Sequence, residues 1–155
     1  MRNIVKYIKP NPPIEKAILN RVEFFRKIIL PQDYKEFLSS YNGGKLYYDS
    51  FVRSLDDNDS QSNALDSFDE VDEDTQFLDG EEYDELRESK ILPIASTLVP
   101  GIVGVCLQEE GYGSIYIMDW DFGLTLQAPS FTKFLEQIEF NEPAENWQNE
   151  DPAFA

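Results

Sequence analysis

The chain contains no histidine. That absence removes Ser-His-Asp and Cys-His nucleophilic catalysis, the usual zinc sites and the commonest general base near neutral pH. Cysteine is almost as scarce. Cys106 stands alone, so an intramolecular disulfide is impossible. Its place in the apolar run Ile102–Leu107 points to a buried, unreactive thiol. No apolar stretch approaches the roughly 20 residues that span a bilayer, and Met1–Lys9 lacks the apolar h-region of a secretory signal. These absences lead to the expectation of a cytoplasmic protein with no membrane partner. Positive charge is missing too, but only from one part of the chain. Residues 1–53 hold ten Lys or Arg against five acids, whereas residues 54–155 hold three against twenty-five. Phosphate binding needs clustered Lys and Arg, so nucleic acid is not an expected partner. The natural counterpart of a chain with net charge −17 is a basic protein.

What is present suits one domain. The 155 residues, 41% of them apolar, suffice for a single core. Pro12 and Pro13 open a helix predicted over residues 13–28, in which Ile14, Ile18, Val22, Phe25 and Ile29 recur at helical spacing. Leu30 and Pro31 break it and start a second, Pro31–Tyr41, striped by Tyr34, Phe37, Leu38 and Tyr41. Asn42, Gly43 and Gly44 supply its left-handed stop. Leu46–Leu55 is rich in Tyr, Phe and Val and reads as a strand.

The next segment differs in kind. Asp56–Glu88 carries fifteen acids and one basic residue, Arg87. Leu65, Phe68, Val71, Phe77 and Leu78 interrupt it without a sustained period. It reads as a long, partly mobile acidic excursion with a short helix near Glu81–Arg87. Three strands follow, Ile91–Ala95, Ile102–Gln108 and Ser114–Trp120, separated by Gly- and Pro-bearing turns, and Leu124–Gln127 adds a shorter one. Ile102–Leu107 is almost wholly apolar and should be covered on both faces. Ser130 caps a last helix striped by Phe131, Phe134, Leu135 and Ile138. The polar tail Asn141–Ala155 offers Trp147 and Phe154 as anchors. Helix, helix, strand, excursion, strands and helix make an α+β domain.

Two segments carry a resemblance. Leu30-Pro31-Gln32-Asp33-Tyr34-Lys35-Glu36-Phe37-Leu38 followed by Tyr41-Asn42-Gly43-Gly44 is similar to the LPxDYxxFL…NGG signature of the SUKH superfamily. The second is Ile91-Leu92-Pro93-Ile94-Ala95, the Gly101–Leu107 and Gly113–Trp120 runs, and an Ala128-Pro129-Ser130-Phe131-Thr132-Lys133-Phe134-Leu135 ending. Together they span about residues 13–138. The resemblance implies an α+β fold with a mixed, mostly antiparallel sheet flanked by N-terminal helices and a C-terminal helix. It also implies a protein-binding role. Bacterial members resemble immunity proteins that bind a cognate toxin and block it, and fungal members resemble regulators of cell-wall glucan synthesis. The superfamily shares no catalytic motif, so Leu30, Pro31, Tyr34, Phe37, Leu38, Asn42, Gly43 and Gly44 carry over as structural positions alone. This chain departs from it in the long acidic stretch before the Ile91 strand and in Val99-Pro100.

Candidate chemistry weighs the same way. Asp119 and Asp121 would lie ~7 Å apart on one face of a strand, within glycosidase reach, but Asp121-Phe122-Gly123 reads as a turn. Calcium frames starting at Asp57 or Asp72 put Ser62 or Phe77 at the glycine position and Phe68 or Tyr83 at the final glutamate position, so neither fits an EF-hand. No catalytic residue, metal or cofactor is expected. The expected function is toxin neutralisation by binding, or alternatively a regulatory or scaffold role. The expected contact residues are Asp69, Glu70, Asp72, Glu73, Asp74, Glu81 and Glu82, with Trp120 as an aromatic anchor. Interspersed Phe68, Val71, Phe77, Leu78 and Tyr83 read as further contact residues, and the Tyr47-Tyr48 pair as an alternative anchor.

Overall fold

Short apolar runs with Gly-bearing turns between them fold here as an antiparallel meander rather than as crossovers. The computed structural model describes residues 6–53, 62–73, 86, 88–98, 101–119 and 123–141. Strand β1 (Ile8–Pro10) leads into helices α1 (Lys16–Arg26) and α2 (Gln32–Ser40). The chain then runs through β2 (Gly44–Arg53), β3 (Ser62–Phe68), β4 (Ile91–Thr97), β5 (Gly101–Cys106), β6 (Ile115–Asp119) and β7 (Gly123–Ala128). Helix α3 (Phe131–Gln137) and strand β8 (Glu139–Asn141) follow. The sheet order is β1-β2-β3-β4-β5-β6-β7. β8 joins the same edge of β2 as β1, opposite Asp49–Phe51, while β1 lies opposite Gly44–Leu46. Every described pairing is antiparallel. The architecture is α+β.

The helices cover one face of the sheet. Phe37 of α2 and Phe131 of α3 stand 5.1 Å apart, and both meet Phe68 of β3, at 5.2 and 6.2 Å. Tyr34 packs on Phe131 at 5.2 Å. Val103, Val105, Ile115 and Ile117 supply the sheet side of this core. Alternation along β5 and β6 sends Cys106 and Met118 to the other face, where they meet Ile91 and Leu86. β5 is therefore covered on both faces, as its sequence predicts. Leu86, fully buried, provides much of that second cover.

Two expectations need correction. The acidic excursion contains β3, a strand in the interior of the sheet. Its period was illegible because the register shifts by a bulge between Leu65 and Ser67. Leu65 and Phe68 therefore both point into the core, three residues apart. Phe68 and Val71 are core residues, not contact residues. Leu86 and Glu88 have helical backbone, and the rest of the helix predicted over 81–87 lies outside the described residues. The second correction is α1, which ends at Arg26, with Lys27 in the left-handed conformation. Ile29 thus falls outside the helix and Phe25 on its outer side, both 72% exposed; of the predicted stripe Ile14 and Val22 are buried, and Leu19 is buried with them. The Ser130 cap forms as predicted, accepting from the Lys133 backbone N–H at 3.1 Å.

The Asn42-Gly43-Gly44 turn does more than stop a helix. Asn42, with φ of 40°, is buried. Its side chain donates to the Val71 carbonyl at 2.9 Å and accepts from the Val71 N–H at 3.0 Å. A Cβ on Gly43 would strike the Asp69 carbonyl, and one on Gly44 the Lys9 carbonyl. The turn is therefore wedged between β1 and the segment leaving β3. Asn42→Ala leaves a buried N–H and C=O of Val71 without partners and should cost about 2–4 kcal/mol. The cost should appear in urea melts as a lower midpoint at unchanged slope. A loss below ~0.5 kcal/mol would show that the clamp is incidental.

Candidate protein-binding surfaces

The acidic segment leaving β3 is fixed before it reaches the surface. The Asp69 N–H donates to the Ile94 carbonyl at 2.9 Å, and the Asn42 clamp holds Val71. Glu70, Asp72 and Glu73 are exposed on this anchored backbone. Glu73 pairs with Arg21 of α1 at 3.3 Å, an exposed contact worth little to stability. Of the predicted contact residues, Glu70, Asp72 and Glu73 thus share one short surface stretch. Asp74, Glu81, Glu82 and Trp120 lie outside the described residues, as do Phe77, Leu78, Tyr83 and the tail anchors Trp147 and Phe154.

Asp69 belongs to a different setting. Its side chain is half-buried, and loss of water pushes its carboxyl above the ordinary range. The Tyr34 phenol is buried without a hydrogen-bond partner, and it is held protonated by burial and by the negative charge of Asp69. No donor among the described residues bonds the Asp69 carboxylate. The pair is a polar defect beside the aromatic core, and an ionised Asp69 is a cost to the fold.

The two signature segments bind each other. Asp33 accepts from the Thr132 N–H at 2.9 Å and from its hydroxyl at 3.0 Å, joining the first turns of α2 and α3. Leu30, Tyr34, Phe37 and Leu38 fill the core beside this link. Tyr47 and Tyr48 are both half-buried, and Tyr48 meets Tyr7, which stacks on Phe140 at 3.8 Å. Asp119 ends β6 on the sheet rim opposite Gly123, and Asp121 lies outside the described residues.

A second surface was missed by the helical stripe. Phe24 is 78% exposed, and its ring meets that of Phe25 edge-on at 5.6 Å. Beside this ridge lies a groove of about 630 Å³ floored by Ile29, Ile91, Leu92 and Leu107. Arg26, Lys27 and Lys90 rim it against a single acid, Glu109. Tyr112 closes one wall and donates its hydroxyl proton to the Ile29 carbonyl. The signal was available in the adjacent Phe24-Phe25. Neighbours on a helix diverge by about 100°, so a narrow buried stripe cannot take both. Arg26-Lys27 immediately after them marks the end of the helix as solvated.

Among the described residues no group of three or more His, Cys, Asp or Glu is placed to hold a metal ion. Cys106 is buried, with the Glu110 carbonyl as its polar neighbour at 3.9 Å. No helix among the described residues is long and apolar enough to cross a membrane. The arrangement offers an acidic stretch after β3 and a basic-rimmed apolar groove at the end of α1. A family model described as the SMI1 / KNR4 family (SUKH-1) matches residues 13–137. That span covers most of the chain, so the chain belongs to the SMI1 / KNR4 family. Comparison with the curated proteins gives no match.

The Asp69 setting yields a pH prediction. Because the folded state raises the Asp69 carboxyl, its contribution is fully present below the ordinary carboxylate value of about 3.9 and is lost as pH rises through the raised folded value. Asp69→Asn should therefore stabilise the protein near pH 7 and leave it unchanged near pH 3. Urea midpoints of wild type and variant across that range would check this, and an equal difference at every pH would reject burial as the cause.

Proposed function

We propose that this chain works by binding another protein and catalyses no reaction, and that it is an immunity protein whose partner is a cognate toxin of basic charge. The observation that carries the reading is membership of the SMI1 / KNR4 family in a chain with three basic residues against twenty-five acids over residues 54–155. Family membership fits a non-catalytic immunity or regulatory role. The charge favours the first. A toxin domain that acts on an anionic substrate is itself cationic, and an acidic surface occupies the same place as the substrate. Glu70, Asp72 and Glu73 suit this role because the Asn42 clamp anchors their backbone in advance. The proposed place of action is the cytoplasm, and the reading needs no cofactor, nucleic acid or membrane.

The decisive experiment pairs this chain with the product of a neighbouring gene. Co-expression should rescue cells from that product's toxicity, and the two should co-purify. A growth defect on deletion in a strain that has no such toxin would favour the regulatory role instead. Failure of every neighbouring candidate to bind would sink the toxin reading.

The electrostatic part has its own prediction. Replacing Asp72, Glu73 and Asp74 together by Asn, Gln and Asn should slow association by roughly 10-fold or more at low salt and flatten its salt dependence. The difference should fade towards 1 M salt, where the Debye length falls to about 3 Å. Stability should stay within about 0.5 kcal/mol of wild type, because Asp72 and Glu73 are exposed. Stopped-flow mixing with the toxin across a salt series checks it, and identical on-rates and salt slopes would move the interface elsewhere.

A further inference from the structure

The acidic surface leaves the ridge and groove at the end of α1 unexplained. Three large apolar side chains, Phe24, Phe25 and Ile29, are each more than 70% exposed there. Scattered exposed apolar residues are ordinary, but a contiguous patch beside a concave groove marks a binding surface. Its rim is also basic in a chain of net charge −17, with Lys27 and Lys90 against Glu109, and with Arg26 shared between this groove and a cleft that holds Glu73. An occupant that satisfies both features is acidic and carries aromatic side chains.

We propose that this groove binds the chain's own C-terminal segment, residues 142–155. That segment holds Glu142, Glu145, Glu150 and Asp151, no Lys or Arg, and two aromatic residues, Trp147 and Phe154. The direction of β8 favours the match. β8 runs antiparallel to β2, with Glu139 opposite Phe51 and Asn141 opposite Asp49, so the chain leaves Asn141 towards the Gly44 end of β2. That end of the sheet also holds Phe68 of β3, Ile91 of β4 and Cys106 of β5, and Ile91 lines the groove.

Reach is sufficient. The segment is fourteen residues long and spans at most roughly 45–50 Å. The groove lies about 14 Å across, three strand spacings, and about 17 Å along the strands, five residues. Tethering then does most of the work. An intramolecular partner on a short linker has an effective concentration of the order of mM, so an intrinsic affinity that weak already fills the groove. A second copy docked ridge to ridge fits less well. Twofold contact sets Arg26 and Lys27 against the same residues of the other chain.

Zero-length carbodiimide cross-linking of the wild-type chain, residues 1–155, followed by peptide mass spectrometry, tests this directly. The ion pairs Lys35–Glu23 at 3.6 Å and Lys133–Glu136 at 3.3 Å serve as internal references. The expected result is isopeptide bonds from Lys27 or Lys90 to Glu145, Glu150 or Asp151 within the monomer. Their yield should drop several-fold at 1 M salt. Replacing the exposed Phe25 and Ile29 by Ser should also lower the tail cross-links several-fold while the references persist. If the references form and no tail carboxylate joins Lys27 or Lys90, the proposal is wrong. If those bonds occur only in the dimer band, the occupant is a second copy's tail and docking within one chain is rejected.

Discussion

The contact between Phe37 of α2 and Phe131 of α3 is the constraint on which the rest of this structure depends. The two helices lie far apart in sequence, and the meander leaves them no strand pairing through which to find each other. Their rings, with Phe68 and Tyr34, close an aromatic cluster over the middle of the sheet. Asp33 fixes the angle of approach by holding the first turn of α3 through Thr132. Once the helices are seated, β1 and β8 are delivered to the same edge of β2, and the sheet is complete.

That arrangement assigns the charged residues their roles. The turn after α2 reaches across to clamp Val71, so Asp72 and Glu73 follow directly from backbone tied to the core. Asp69, the first of them, turns partly inward and is penalised for it, whereas Glu70, Asp72 and Glu73 reach solvent. Next to Glu73, the early termination of α1 turns Phe25 and Ile29 outward beside Arg26 and Lys27. An acidic stretch and a basic-rimmed apolar groove thus adjoin at α1.

The sequence by itself determined the elements with strong local signals. Tyr34, Phe37 and Leu38 form the predicted buried face of α2. Ser130 caps α3, and the apolar run of β5 is covered on both sides. The charge split needs no structure at all, since it is a property of composition. Packing settles the remainder. β3 was hidden because a bulge breaks its alternation, and its place in the sheet interior comes from pairing with β2 and β4, not from its own propensity. The three-residue strands β1 and β8 are too short to carry a period, and they exist because the edge of β2 is there to receive them. The end of α1 was misread because periodicity says which residues share a face but not where the face stops facing protein. Asn42 and Val71 are linked across 29 residues of chain, a separation at which no local pattern survives and only packing selects the partner.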